Sequence, residues 1–237
     1  MNDTDSIDPL EPVSRRALRH HVVRSLLKAI INGELTAGTR LITSRLAVRL
    51  GVSATPIREA LVELEQSGVV ELLHHRGAAV KPFGRKELRD FYVVRGLLES
   101  EAVRAACGHV EPELLHMLRC DLERLTGESG DTTRNGPEIC AVDHRVHLMA
   151  VEHCSNKRLT AEIERYDTLG EMLRDIAEYD GEQHKTSMLP LVDLLDGMQQ
   201  HKANEAAAAM RRHIDIVAGL IEAVLFDRPK DQIRQLD

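Results

Sequence analysis

Aromatic residues are scarce in this sequence of 237 residues: they make up 3% of the chain, and tryptophan is absent. The hydrophobic content is 43%, which is enough to fill one large core or two small ones. Such a core must be built from leucine, valine, isoleucine, alanine and methionine. We expect this composition to favour helix over sheet.

Long apolar runs are missing as well. No stretch approaches the roughly 18 consecutive apolar residues of a membrane-spanning helix. The acidic start MNDTDSIDPLEP lacks the basic and apolar segments of a signal peptide. These absences predict a cytoplasmic protein with no membrane partner.

Catalytic and disulfide motifs are also absent. The sequence has no H-E-x-x-H pair, no nucleophile elbow and no glycine-rich phosphate loop, which argues against an enzyme. The four cysteines form no C-x-x-C pair and lie in helical patterns. We expect all of them to remain reduced, buried thiols: Cys107, Cys120, Cys140 and Cys154.

The net charge of −7 conceals a strong asymmetry along the chain. Residues 15–84 carry 11 Lys and Arg against 5 Asp and Glu, a net charge of +6. Residues 85–237 carry 20 against 29, a net charge of −9. This asymmetry predicts one domain that faces nucleic acid and one that does not.

The stretch from Leu46 to Leu64, LAVRLGVSATPIREALVEL, has the pattern of a helix-turn-helix. Ser53 is a suitable N-cap for the second helix, because its hydroxyl can accept a hydrogen bond from a free amide of the first turn. Pro56 is tolerated in that turn. An inward apolar stripe follows at helical spacing: Ile57, Ala60, Leu61 and Leu64. The first turn presents a different set outward: Ala54, Thr55 and Arg58. Small and basic residues at this end suit entry into a DNA major groove.

A β-hairpin is predicted after this helix. Val69 to Leu73 form a β-rich run, His74 to Gly77 form a tip, and the returning strand runs from Ala78 to Pro82. The hairpin has the position of a wing, and its tip is basic where a minor groove or phosphates would lie.

The segments INGELTAGTRL, LAVRLGVSATPIREAL, LEQSGVVE and RGAAV, between Ala17 and Val80, resemble the winged helix-turn-helix of the GntR family of bacterial transcription regulators. The resemblance implies a DNA-contacting set: Ser44, Arg45, Ser53, Thr55, Arg58, Arg76 and Gly77. It also reveals two departures, because Ala54 and Ser44 stand where relatives carry basic residues.

The patterns divide the chain into four parts. Residues 1–14 are polar and acidic and predict a disordered leader, and residues 15–84 predict the winged helix-turn-helix domain. Residues 85–227 show helical periodicity and predict an all-α bundle of roughly six or seven helices. Residues 228–237 form a tail. The predicted fold is therefore mostly α, with the bundle as an effector-binding and dimerisation domain.

Three segments of the second half, VVRGLLESEAVRAA, DHRVHLMAVEHCSNKRL and EAAAAMRRHI, resemble the ligand-sensing FCD domain of the FadR-type branch. The resemblance implies a metal site made by an Asp and a His of the middle helix and two later histidines. Asp143 and His147 stand four apart on one helical face and match the first pair. His213 matches the last histidine.

The remaining ligand position falls on Leu191, which cannot bind a metal. His184 lies seven residues earlier and could replace it only if the helix were shifted or the site rearranged. Three outcomes therefore stay open for Asp143, His147 and His213. They form a zinc, nickel or manganese site completed by water or effector, a metal-free effector pocket, or a polar set without a ligand.

Arg95, in the segment VVRGLLE, matches an inward-pointing Arg of the family and is suited to bind the carboxylate of an effector. The alternative is an ion pair with Glu99, one helical turn later.

These patterns predict a ligand-responsive DNA-binding regulator. Regulators of the family that it resembles are most often repressors, and we expect a repressor here. A single winged domain makes few contacts, so we expect a homodimer on a short palindromic double-stranded operator. The expected effector is a small organic acid. The alternatives are a metal-dependent enzyme that uses the helical domain, and a protein-binding role for the N-terminal domain.

Overall fold

The computed structural model describes residues 14–74, 77–127, 136–177 and 181–227. The chain divides into two compact units, residues 1–82 and residues 83–237. The described part is mostly helical, as the composition predicts, and its strands all belong to the first unit.

The first unit combines helices with a small sheet: α1 (Arg15–Ile31), β1 (Arg40–Leu41), α2 (Thr43–Leu50), α3 (Ala54–Gln66), β2 (Val70–Leu73) and β3 (Gly77–Val80). The sheet is antiparallel, and its strands lie in the order β1-β3-β2. The hairpin of β2 and β3 is the predicted wing. Strand β1 was not predicted, because a strand of two residues is too short to show an alternating pattern.

Helices α1 and α3 build the core of this unit, and α3 does so through the apolar stripe that the sequence predicts. Val22, Leu26 and Ile30 of α1 are buried. The inward residues of α3, which packs on α1, are also buried: Ile57, Ala60, Leu61 and Leu64.

Ser53 caps α3 by its position but not by a hydrogen bond. The helix begins at Ala54, as predicted, yet the Ser53 hydroxyl accepts no bond from its first turn. A capping hydroxyl accepts from the second or third amide of the helix, and the third residue, Pro56, has no N–H. The predicted cap bond is therefore wrong, and the Ser53 side chain stays at the surface.

The second unit has six helices in its described part: α4 (Arg85–Ala106), α5 (Pro112–Thr126), α6 (Gly136–Glu152), α7 (Lys157–Ala177), α8 (Gly181–Gln199) and α9 (Ala203–Asp227). Helix α9 packs against α4 and α8, and α4 also contacts α6 and α7. Phe91 of α4 stacks on Tyr166 of α7 with 5.2 Å between ring centroids. None of the helices in the described ranges has the length and apolarity needed to cross a membrane.

The four cysteines are free thiols, but only Cys154 is buried. Cys107 is partly exposed, and Cys120 and Cys140 are exposed, so the prediction of buried thiols is wrong for these three. In α5, the buried leucines lie two positions before and after Cys120. The helical period therefore turns the Cys120 side chain away from the core.

Gly77 opens β3 with φ of +86°, and a Cβ atom at this position would overlap the carbonyl oxygen of Leu41. We expect Gly77→Ala to lower the free energy of unfolding of the first unit by about 1–3 kcal/mol more than Gly38→Ala. Gly38 is a matched control, because its φ is +83° and nothing lies within 4 Å of its Cβ position. Hydrogen–deuterium exchange of the β1 and β3 amides measures the difference. Equal exchange in the two variants would contradict the expectation.

Candidate DNA-binding surface and buried effector site

The predicted DNA-contacting residues of α2 and α3 lie at the surface of the first unit. Ser44 and Arg45 are exposed in the first turn of α2. Arg58 of α3 is exposed, Thr55 is partly exposed, and Ser53 is exposed just before this helix. All five side chains are therefore open to a partner.

Three of the predicted residues line one groove: Ser44, Arg58 and Gly77. The groove has a volume of about 850 Å³, and residues of α2, α3 and all three strands form its walls. Arg40 of β1 also lines it and was missed, because its only signal in the sequence was its charge. Arg76, at the predicted wing tip, lies outside the described residues.

Arg40 and Arg58 have no ion pair among the residues that the structure describes. Arg19 of the same unit, by contrast, lies 3.0 Å from a carboxylate oxygen of Glu63. An unpaired guanidinium keeps its N–H groups available for a phosphate or a base edge. The groove thus contains two cations that no acid of the described ranges neutralises.

In the second unit, the three predicted metal ligands converge in the core. Asp143 and His147 lie one turn apart on α6, His213 lies on α9, and their exposed fractions are 7%, 7% and 1%. The two Nε2 atoms are 3.2 Å apart. Asp143 Oδ1 lies 3.1 Å from His213 Nε2 and 3.6 Å from His147 Nε2. The structure therefore brings together one oxygen and two nitrogen donors.

Both imidazole rings are oriented by partners at their other nitrogen. Nδ1 of His147 hydrogen-bonds to the carboxylate of Glu99 on α4. Nδ1 of His213 donates to the carbonyl oxygen of Ser187 on α8, at 2.7 Å. A neutral ring held in this way directs its Nε2 lone pair towards Asp143, which is the arrangement that metal-binding histidines use.

Arg95 forms the ion pair with Glu99 that was the alternative to an effector role. The Nε to Oε1 distance is 2.5 Å, and the side chains are 3% and 4% exposed. The other carboxylate oxygen of Glu99 bonds to His147. The guanidinium packs against Gly170 of α7, where a Cβ atom would lie 2.8 Å from Nη1. Arg95 therefore contacts the cluster through Glu99.

Arg174 of α7 is a second cation near the cluster, and sequence reasoning missed it. Its Nη1 lies 3.5 Å from Asp143 Oδ2. In the described part of the chain, neither this nitrogen nor Asp143 Oδ1 has a hydrogen-bond partner. No sequence pattern marks Arg174, because only the packing of α7 brings it to α6.

Among the described residues, no side chain replaces the fourth ligand. Leu191 of α8 is fully buried. Nε2 of His184 lies 3.6 Å from Sγ of Cys140, and His184 does not belong to the group whose ligand atoms lie within 4.8 Å of one another. The group consists of Asp143, His147 and His213.

Two family matches cover most of the chain. Residues 18–80 match the bacterial regulatory proteins of the gntR family. Residues 90–216, more than half of the chain, match the FCD domain. The chain belongs to the GntR family and carries an FCD domain.

Several known relatives are transcription regulators. The regulator McbR of Escherichia coli is 34% identical over 133 residues, which cover 55% of this chain and 58% of McbR. The Nta operon transcriptional regulator of Aminobacter aminovorans is 28% identical over 75% of this chain and 81% of that protein. An uncharacterized HTH-type regulator of Mycobacterium tuberculosis is 35% identical over 42% of this chain, and the match spans only 41% of that relative's length.

The solved structure of E. coli McbR/YncC has the same fold, with a TM-score of 0.58 at 23% identity over 89% of this chain and 98% of that chain. The family, the relatives and the fold are those of transcription regulators rather than enzymes. The DNA-facing surface of the first unit therefore belongs to a GntR-type helix-turn-helix.

The donor set of the FCD domain fits a first-row divalent ion. Carboxylate oxygen and imidazole nitrogen are ligands that zinc, nickel and manganese all accept. Asp143 Oδ1 is buried and has no hydrogen bond among the described residues, which is costly unless a cation shares the site. A bound metal ion or the protonated ring of His147 supplies such a cation. Three protein ligands leave coordination positions for an exogenous oxygen donor.

The carboxylates around His147 also control its protonation. Burial by itself lowers the pKa of His147, but Glu99 and Asp143 outweigh this effect and raise the pKa to about 9. Burial favours the neutral form of both acids, while the neighbouring Arg95 and His147 hold the pKa of Glu99 below its ordinary value. His147 and His213 lower the pKa of Asp143 against the same effect of burial.

We expect the chelator-treated protein to lose stability as the pH rises through about 9. His147 holds its proton up to a pKa of about 9 in the folded state, against about 6.5 in the unfolded chain. Its stabilisation is therefore complete below about pH 6.5 and disappears above about pH 9, a change on the order of 3 kcal/mol.

Urea unfolding in EDTA at a series of pH values measures this loss. His147→Gln should remove most of the alkaline slope. His153→Gln is the control, because the ring of His153 bonds to the Met149 carbonyl rather than to a carboxylate, and it should keep the slope. A wild-type stability that does not change between neutral pH and pH 9 would show that folded His147 is neutral.

Proposed function

We propose that this protein is a bacterial cytoplasmic transcriptional repressor, which binds a short palindromic operator as a homodimer and responds to a small carboxylate effector. The observation that carries this proposal is the buried convergence of Asp143, His147 and His213 in a protein whose first unit is a GntR-type DNA-binding domain. Burial of charged groups in a core lowers the stability of the fold, and a ligand site accounts for all three of these buried residues.

The proposed dimer accounts for the small size of the DNA-contacting surface. One helix-turn-helix reads one half-site, and specific affinity generally needs two half-sites. Helix α4 carries exposed apolar side chains that suit a contact between two copies: Val93 (47%), Val94 (38%) and Leu97 (61%). Their clustering on one helix supports pairing through the helical unit.

For the effector site, we propose that Asp143, His147 and His213 hold a divalent ion. When bound, such an ion supplies Lewis-acidic positions that accept the oxygen of a carboxylate. Arg174 provides a nearby guanidinium whose Nη1 has no hydrogen-bond partner among the described residues, which suits the second oxygen of that carboxylate. Arg95 stabilises the site from the other side through Glu99.

The response to effector is a linkage between binding in the bundle and binding to the operator. The residues of the site come from five helices: Glu99 from α4, His147 from α6, Arg174 from α7, Ser187 from α8 and His213 from α9. A ligand that contacts this set changes the relative stability of alternative helix arrangements. The change in operator affinity cannot exceed the difference in effector binding between the two states.

Selection of duplexes from a library with a randomised palindromic core tests the DNA-binding part of the proposal. Wild-type protein should enrich a palindrome. Arg58→Ala should raise Kd for this duplex by roughly 5- to 150-fold, which corresponds to about 1–3 kcal/mol, and relax the preference at one position of each half-site. Enrichment of no duplex by the wild-type protein at low salt would favour the protein-binding alternative.

Elemental analysis of protein purified without chelator and reloaded with zinc, nickel or manganese tests the metal site. We expect about one equivalent of metal per chain in the wild type and little in Asp143→Ala and His213→Ala. His184→Ala is the control and should retain the metal, because His184 lies outside the three-residue group. Small carboxylates are then screened by thermal shift of the loaded protein and by release of the selected duplex.

A wild-type protein that binds no metal after reloading would contradict the metal part of the proposal. The cluster would then be either a metal-free effector pocket or a polar set without a ligand. Binding of a carboxylate that is lost in Arg174→Ala but unaffected by EDTA would establish the metal-free pocket.

A further inference from the structure

Arg40 lines the groove of the first unit, and the proposed function does not assign a role to it. Arg40 lies in β1, opposite Ala79 of β3 in the antiparallel register. Its neighbour Leu41 is 1% exposed, whereas Arg40 is exposed. Successive side chains of a strand point to opposite faces. Pairing with β3 therefore fixes the backbone of Arg40 beside the wing, and its side chain lines the groove.

The other walls of the groove are small or apolar. Ser44 and Ala54 have short side chains that leave space beside α2 and α3. Val62 and Leu72 also line it, and each is 43% exposed although apolar. The groove combines apolar walls with two guanidinium groups that have no ion pair in the part of the chain that the structure describes. This combination is complementary to a sugar–phosphate chain, which has apolar sugar carbons and anionic phosphates.

The geometry of a winged helix-turn-helix predicts what passes through this groove. Helix α3 enters the major groove, and the wing approaches the adjacent minor groove. The DNA strand that separates these two grooves must then run between α3 and the wing. Side chains that enter this space from the sheet meet the backbone of that strand, whereas side chains of α3 can also reach base edges.

We infer that Arg40 is a further DNA contact, which binds a backbone phosphate of this strand and thereby positions α3. The inference rests on the proposed DNA-binding function. The inference assigns different roles to the two cations of the groove, because Arg58 projects from α3 itself, whereas Arg40 projects from the sheet. Arg40 fixes the position of the helix on the duplex and does not discriminate between sequences.

Arg40→Ala in the full-length protein tests the inference. The probes are the duplex enriched by the wild-type protein and a scrambled duplex of the same length. We expect Kd to rise roughly tenfold on both probes, as for the loss of one charged hydrogen bond. The slope of log Kd against log salt concentration should decrease by about 0.9, the value for one phosphate contact. The ratio of the two Kd values should stay constant.

Arg49→Ala is the matched control. Arg49 is an exposed Arg of α2, but it does not line the groove and lies 3.9 Å from Glu34. This variant loses the same charge, and we expect its Kd to change by less than about threefold. Arg40→Lys keeps the charge and should recover most of the affinity that Arg40→Ala loses.

Four results would overturn the inference. Equal losses in Arg40→Ala and Arg49→Ala would assign the effect to overall charge. A changed ratio of the two Kd values would make Arg40 a base-reading residue. A wild-type protein that binds neither duplex would overturn the proposed function together with the inference. If the wild type binds and Arg40→Ala binds equally well, only the inference fails. Circular dichroism melts check that each exposed substitution leaves the fold unchanged.

Discussion

The buried carboxylate of Glu99 is the charge on which the geometry of the second unit depends. Its side chain is 4% exposed, and a carboxylate there is stable only when partners replace its hydration. Arg95 provides one partner from the preceding turn of α4, and His147 provides the other from α6. Loss of one partner from such a buried set costs about 3–5 kcal/mol, because the remaining charges are uncompensated. Glu99 therefore links two helices and holds the ring of His147 in the orientation that the proposed effector site requires.

The network around Glu99 has a role that the aliphatic core cannot take. Leucine, valine and alanine hold a bundle together, but their contacts are non-directional and allow neighbouring helices to adjust. Hydrogen bonds and ion pairs specify which atoms must meet. Asp143, His147 and His213 meet in this way, and Ser187 fixes the ring of His213 from a further helix. A ligand bound at this point contacts the residues that determine the arrangement of the helices, which is the physical requirement for a sensor.

The arginines of the two units have opposite environments: those in the groove of the first unit are exposed, and Arg95 of the second unit is buried. In the first unit, Arg40 and Arg58 stand in an open groove without an ion pair among the described residues, which leaves their charge for an anionic polymer. In the second unit, Arg95 is enclosed and neutralised by an acid of its own helix. The asymmetry of net charge along the sequence reflects this division. An exposed cation attracts DNA over a Debye length, whereas a buried one acts only on atoms in contact with it.

The sequence by itself determined the features that depend on neighbours within one or two helical turns. The start of α3 at Ala54 and its buried stripe follow from helical periodicity, and the pairing of Asp143 with His147 follows from a spacing of four residues. The wing followed from its β-rich pattern, and resemblance to a family supplied the domain order. Only the tertiary structure decided that Glu99 bonds to a histidine 48 positions later, and that Arg40 lines the same groove as α3. These contacts join distant segments, and no local pattern encodes them, because the packing of helices and the pairing of strands set those distances.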